Sequence, residues 1–310
     1  MVELRGIRKR FSANGVLALD GAGFSARPGE IHALLGENGA GKSTLMHIMA
    51  GFLNPDRGGI LMKGKEARFS SPADALAAGI GMVRQHPNLI RGFKVWEDCV
   101  TGAEPRRGGI LRPKAARNRA AELSKRWGFG LDVDAVTSSL TVSQRQKAAV
   151  LALLIREAEY LIFDEPTAVL SPGETQGLFA LFRALRDGGK GVILISHKLE
   201  ETLALAGWIT VLGKGKTLAS GEAASFSGDS LQALMFGSLE EKPVSARPAR
   251  AKKRTSPGAG NKPPVLSVQN LGLEIPGRPF IRGACLDVAP GAILGVAGVR
   301  DSGLETLELG

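Results

Sequence analysis

The stretch GENGAGKST, Gly36 to Thr44, constrains the fold of this chain more than any other feature. The apolar run IHALL precedes it and LMHIMAG follows it, the order of a strand, a glycine-rich turn and a helix start. Glycines at 36, 39 and 41, with Asn38 and Ala40 between them, let the backbone turn successive N–H groups inward. Those groups and the positive end of the following helix make a site for a polyphosphate. Lys42 then reaches the β- and γ-phosphates, and the Ser43 hydroxyl holds Mg²⁺. Gly36, Asn38, Gly39, Ala40, Gly41, Lys42, Ser43 and Thr44 are therefore the candidate nucleotide-binding residues. With 41 glycines in 310 residues, a chance glycine-rich turn is the competing reading. The flanking strand and helix decide for a nucleotide site.

The rest of the chain alternates apolar runs with helical stretches. Residues 2–11 and 16–27 have partial strand alternation around a turn at Ser12–Gly15, and GGILMKG (58–64) reads as a short strand and turn. A helix is expected from Ser71, with Pro72 at its first position, and again over 113–128 and 143–157. GIGMVRQ (79–85), YLIFDEP (160–166) and GVILISH (191–197) read as buried strands. Ser171 and Glu174 form a capping box ahead of a helix, another helix follows Lys198, and 208–221 reads as a hairpin turning at Gly213–Gly215. Such alternation predicts an α/β fold, a parallel sheet with helices on its faces. The carboxyl ends of such strands carry the site, and here they carry Gln85, Asp164–Glu165 and His197.

The net charge of +10 raises a nucleic-acid partner, and its distribution argues against one. Residues 242–264 carry seven Lys/Arg and no acid, are rich in proline and nearly devoid of apolar side chains, the composition of a disordered linker, with a basic tail that touches RNA or anionic lipid as the alternative. No apolar run approaches the ~20 residues of a membrane helix, and MVELRGIRKRF has charge without the apolar core of a signal peptide. Cys99 and Cys285 make no CxxC, which fits a reducing cytosol, and His32, His47, His86 and His197 show no metal-ligand spacing.

Beyond the linker, residues 264–275, a turn at PGRP, and 286–298 repeat the order of residues 2–36; LDVAPGAILGVAG mirrors FSARPGEIHALLG. A second copy of the domain opens there and stops at Gly310, which reads as truncation.

Four features occur in one order: the glycine loop, Gln85, SLTVSQRQ (139–146), and LIFDEP (161–166) with His197 behind it. Together they resemble the nucleotide-binding subunit of an ATP-binding cassette (ABC) transporter, over residues 1–235 and into a repeat. The resemblance implies a P-loop NTPase fold: a mostly parallel sheet core, an antiparallel β subdomain and an α-helical signature subdomain. It implies a first domain over 1–240, with its helical subdomain over about 88–157. The linker would span 241–264, and a degenerate second domain would begin at 265–310. It further implies ATP hydrolysis with Mg²⁺, in which Asp164 is the Walker B carboxylate, Glu165 the general base, Gln85 the Q-loop glutamine near the metal, and His197 the γ-phosphate switch. Ser43, Gln85 and Asp164 are the implied metal group, and Phe11 the aromatic that stacks on adenine. Without the glycine loop, two adjacent acids at a strand end would read as solvated loop acids.

The departures are informative. The family signature is Leu-Ser-x-Gly-Gln, whereas Leu140, Thr141, Val142, Ser143 and Gln144 read LTVSQ, with a side chain where glycine lets backbone approach a phosphate. In the repeat, Leu304 falls where Lys42 sits and Glu305 replaces the metal-binding hydroxyl. Since the family sandwiches ATP between the loop of one domain and the signature of the other, both defects fall in one composite site, leaving one hydrolytic site. Such a tandem chain resembles the ATPases of bacterial importers for simple sugars and nucleosides, and GIGMVRQHPNLI with TAVLSP resembles the nucleoside branch, which is served by a basic-membrane-protein-type lipoprotein. The implied partners are permease subunits at the cytoplasmic face of the inner membrane, that lipoprotein indirectly, and a second ABC domain or a homodimer. Soluble tandem ABC proteins acting on the ribosome or nucleic acid keep both loops and a long helical linker. A non-hydrolysing regulatory domain would not keep Lys42, Asp164 and Glu165 together.

Overall fold

The computed structural model describes residues 1–12, 15–84, 87–107, 109–167, 170, 172–236, 263–274 and 280–296. Gln85, Ser171, most of the basic linker, the PGRP turn and the second phosphate loop from 297 lie outside the described residues. The chain divides into two units, Met1–Glu240 and Glu241–Gly310.

The first unit opens with β1 (Val2–Arg10) and β2 (Leu17–Ala26), paired antiparallel, and continues into β3 (Ile31–Leu35), buried at every position. The glycine loop follows, then α1 (Lys42–Met49). β4 (Arg57–Met62) and β5 (Lys65–Ala67) complete an antiparallel sheet ordered β2-β1-β4-β5. α2 (Pro72–Ala77) starts where Ser71 accepts from the Asp74 N–H and Asp74 answers to the Ser71 N–H, with proline at the first helical position. β6 (Ile80–Val83) is the 79–85 run, shorter than expected at both ends.

The helical layer comes next: α3 (Val95–Val100), the two-residue strands β7 (Arg106–Arg107) and β8 (Ile110–Leu111), α4 (Pro113–Arg126) and α5 (Val142–Ile155). β9 (Tyr160–Asp164), α6 (Pro172–Asp187), β10 (Gly191–Ile195), α7 (Leu199–Leu205), the hairpin of β11 (Trp208–Gly213) and β12 (Lys216–Glu222), and α8 (Gly228–Phe236) finish the unit.

The second sheet runs β12-β11-β3-β10-β9-β6, parallel except for β12. β3 is thus central, flanked by strands that arrive more than 150 residues later. Leu4, Ile7, Leu34, Leu45 and Met46 pack the core between the antiparallel sheet and α1. On the other face Phe163, Phe182, Leu151 and Leu161 join α5 and α6 to the strands. Among the described residues no helix is long and apolar enough to cross a membrane.

In the second unit β13 (Leu266–Leu273) pairs antiparallel with β14 (Ile281–Val288) and reproduces the β1–β2 ribbon in detail. Leu266↔Val288 and Val268↔Leu286 repeat Val2↔Ala26 and Leu4↔Phe24, and each ladder then shifts register. Asn270 (φ 52°) stands at the bulge where Gly6 (φ 58°) does, and Gly283 (φ 66°) where Gly21 (φ 83°) does. The mirrored third strand is absent from 292–296. A strand of that type takes its hydrogen bonds from two parallel neighbours, as β3 does from β10 and β11, and the described residues of this unit supply neither.

Candidate functional site

Parallel register decides which side chains can meet. Ile195 lies opposite both Leu34 and Asp164, so β3, β10 and β9 end side by side, and their next residues share one edge. Glycine is obligatory at the first of these: Gly36 has φ 152°, and a Cβ there would sit 2.2 Å from the Leu212 carbonyl oxygen of β11. The loop then exposes Glu37, Asn38 and Gly39, buries Ala40, and enters α1 through Gly41 as N-cap. Its back is tied to the sheet, because the Gly215 N–H in the β11–β12 turn donates to the Ala40 carbonyl at 3.0 Å while the Gly215 carbonyl accepts from Asp20 at 2.8 Å.

Lys42 is only 6% exposed, and its ammonium donates to the carbonyls of Gly36 (2.7 Å) and Glu37 (2.9 Å). Burial lowers its pKa, opposed by the charges of Glu165 and Asp164. One residue on, Ser43 Oγ lies 3.5 Å from Asp164 Oδ1. Burial raises the Asp164 carboxyl above its usual range, Glu165 adds to this, and His47, Ser43 and Lys42 oppose it. A carboxylate and a hydroxyl facing one another in a spot where negative charge is under-compensated suit a hard dication, so this donor pair fits Mg²⁺.

Glu165 leaves β9 in the left-handed region (φ 43°), fixed by its own N–H donating to the Ile195 carbonyl at 3.1 Å. Its Oε1 lies 3.1 Å from His197 Nδ1. An ionised carboxylate only accepts, so Nδ1 carries the proton. In the neutral ring Nε2 is then an acceptor, and donating to a phosphate oxygen requires a second proton or release from Glu165.

The structure therefore brings Lys42, Ser43, Asp164, Glu165 and His197 together, while Phe11 follows β1 and Leu140–Gln144 lead into α5. Phe11 is half-buried at the mouth of the β1–β2 hairpin, where its N–H donates to Val16 at 2.9 Å. Leu140–Gln144 start α5, where Thr141 caps the helix, accepts from the Gln144 N–H (3.3 Å) and donates its own N–H to Gln144 Oε1 (2.9 Å). Leu140 is buried, and Val142, Ser143 and Gln144 are the first three helical residues. The unusual signature is thus a capping box.

Three supports have no clear mark in the local sequence pattern. His47 stands one helical turn beyond Ser43, and its charge bears on Asp164, while burial lowers its own pKa; the i, i+4 spacing on one helix face was the available signal. Gln146, buried on α5, donates to the Pro166 carbonyl at 2.8 Å and links the signature helix to the acidic strand end. Thr167 donates to Glu201 at 2.6 Å, and Lys198 bonds Glu201 (2.9 Å) and the Thr167 carbonyl (3.3 Å), pinning the chain beyond Glu165 to α7.

Comparison with known proteins adds four findings. The ABC transporter family model matches residues 19–168. The chain is 40% identical over 308 residues to the nucleoside import ATP-binding protein NupA of Lactococcus lactis subsp. cremoris, covering 99% of this chain and 58% of that protein. The ribose import ATP-binding protein RbsA 1 of Rubrobacter xylanophilus gives the same figures, 40% over 308 residues and 99% against 58%. Among solved structures, cbiO1 of Clostridium perfringens, part of the ABC transporter complex cbiONQ, is similar with a TM-score of 0.63 at 28% identity, covering 72% of this chain and 89% of that one. The chain thus spans 58% of the length of these curated relatives.

Proposed function

Through the domain matched over residues 19–168 the chain belongs to the ABC transporter family, and on that premise we propose that it is the ATP-binding and hydrolysing subunit of a bacterial importer. The observation that carries this reading is the convergence of Lys42, Ser43, Asp164, Glu165 and His197 at the ends of β3, β9 and β10. Lys42 and the loop N–H groups hold the β- and γ-phosphates, and Phe11 stacks on the adenine. Ser43 and Asp164, with Gln85, would hold Mg²⁺, which would supply charge neutralisation on the transferring phosphoryl group. Glu165 orients and polarises the attacking water, and His197 holds Glu165 in place and reports on the γ-phosphate. A second ABC domain, from the other half of a tandem chain or another copy, completes the site with its signature, and residues 265–310 open such a domain.

The remaining partners are permease subunits at the cytoplasmic face of the inner membrane and, indirectly, a substrate-binding lipoprotein. The cargo is a small polar solute, a nucleoside or simple sugar; the segment 79–90 supports the nucleoside, and the relatives' names include both. The test is twofold. Equilibrium ATP binding should be lost in Lys42→Ala, and binding equal to wild type would refute the phosphate-loop assignment. Vesicles holding the permease with this subunit should take up labelled nucleoside in preference to ribose, and the reverse order would refute the cargo assignment.

A further inference from the structure

Ile110 is 74% exposed and Leu111 46%, and they are adjacent on β8 of a ribbon joined to neither main sheet. Among the described residues of Met1–Glu240, Ile110 is the most exposed large hydrophobic side chain. Single exposed apolar residues are ordinary on protein surfaces. This pair differs in its setting. From Pro105 to Ala121 the sequence has six Lys/Arg and no acid; Arg117 and Arg119 are paired with Asp134 and Glu157, and the cations nearest the pair are those that precede them. Arg106, Arg112 and Lys114 around the pair are exposed. The neighbouring acid, Glu104, is engaged by the Gly102 N–H at 2.9 Å and the Arg106 guanidinium at 3.3 Å, which leaves most of the arginine's five donors to solvent. The ribbon is held in shape by its own backbone, Arg112 donating to the Pro105 carbonyl at 2.9 Å.

We propose that the β7–β8 ribbon is a membrane-surface contact, in which Ile110 and Leu111 enter the headgroup region of an anionic bilayer while Arg106, Arg112 and Lys114 pair with lipid phosphates. Aliphatic side chains ringed by cations match the boundary between acyl chains and anionic headgroups. A nucleic acid calls for aromatic stacking platforms beside the cations, and residues 105–121 contain no aromatic residue. The ribbon lies between α3 and α4 in the chain and contains none of the strand-end residues Lys42, Asp164 and Glu165.

The experiment is sedimentation of the intact chain with phosphatidylcholine vesicles and with phosphatidylcholine–phosphatidylglycerol vesicles. Binding should require the anionic lipid and weaken as salt is raised, since charges are screened beyond about 8 Å at physiological ionic strength. The double variant Ile110→Asp/Leu111→Asp and the double variant Arg112→Glu/Lys114→Glu should each lower partitioning by about ten-fold or more. ATP affinity and melting temperature should stay unchanged, because these side chains are exposed. The neutral double variant Ile110→Ser/Leu111→Ser keeps the net charge, and so the attraction of the basic stretch 242–264 to anionic lipid, and it should lower partitioning as well. Vesicle binding equal to wild type in these variants overturns the proposal. So does unchanged vesicle binding with lost permease co-purification, which would assign the ribbon to a protein partner.

Discussion

His197 Nδ1 and Glu165 Oε1 lie 3.1 Å apart, so the ring following β10 and the acid following β9 form one hydrogen-bonded unit. The backbone reinforces it, with Glu165 held at φ 43° by the Ile195 carbonyl. His197→Ala should therefore release the carboxylate without unfolding the protein, because the ring is half exposed. Phosphate release should fall about 100-fold while ATP affinity holds. Turnover at the wild-type rate would remove His197 from the mechanism.

Asp164 gives a pH-dependent prediction. Burial first, then Glu165, raises its carboxyl above the ordinary 3.8. A group that holds its proton more tightly when folded favours the fold below its ordinary pKa, and that advantage is lost as pH rises through the raised value. Ionised Asp164 thus costs stability at neutral pH. Asp164→Asn keeps an acceptor for Ser43 and should raise the melting temperature at about pH 7 in the absence of nucleotide and metal, with the gain shrinking as pH falls through the raised value and gone below the ordinary 3.8. Hydrolysis should be lost in the same variant. A lower melting temperature at neutral pH would contradict this account.

Gly36 and Gly215 hold the two faces of the phosphate loop. Alanine at 36 would put a Cβ 2.2 Å from the Leu212 oxygen, and at 215 (φ 77°) 2.7 Å from the Ala18 oxygen. Each substitution should cost about 2 kcal/mol or more in denaturant unfolding. Gly215→Ala should also weaken ATP binding without touching any phosphate-contacting residue, through the lost support at Ala40. Unchanged ATP affinity in a folded Gly215→Ala protein would dismiss that brace.

The signature separates stability from function. Thr141→Ala removes a capping hydroxyl and should cost about 1 kcal/mol. Ser143→Gly, at the second helical position, should leave stability nearly unchanged and speed ATP turnover in a homodimer that sets Lys42 against the LTVSQ signature, if the Ser143 side chain keeps backbone from a partner's γ-phosphate. Steady-state phosphate release checks it, and a slower variant would count against the steric account.

The site was legible where chemistry is local. IHALLGENGAGKST announces a strand, loop and helix, and LIFDE announces acids at a strand end, because burial and turn chemistry are written in consecutive residues. What escaped is what folding brings together from afar. That β3 lies between β10 and β11 is set by pairings with no local signal. His47 beside Asp164, and Gly215 behind Ala40, follow from those pairings. The six-residue α3 and the nine-residue α8 are too short for periodicity to stand out. In the repeat the opposite occurred: the mirrored sequence at 292–296 kept its strand pattern without the neighbours that make it a strand.

On the proposed mechanism Glu165 activates the water at a nucleotide held by Lys42. Phosphate release and ATP binding, measured side by side on wild type and Glu165→Gln in the presence of Mg²⁺, test it most directly. Equal ATP affinity is expected, with turnover reduced about 100-fold or more in the variant. Hydrolysis by Glu165→Gln at the wild-type rate would contradict it.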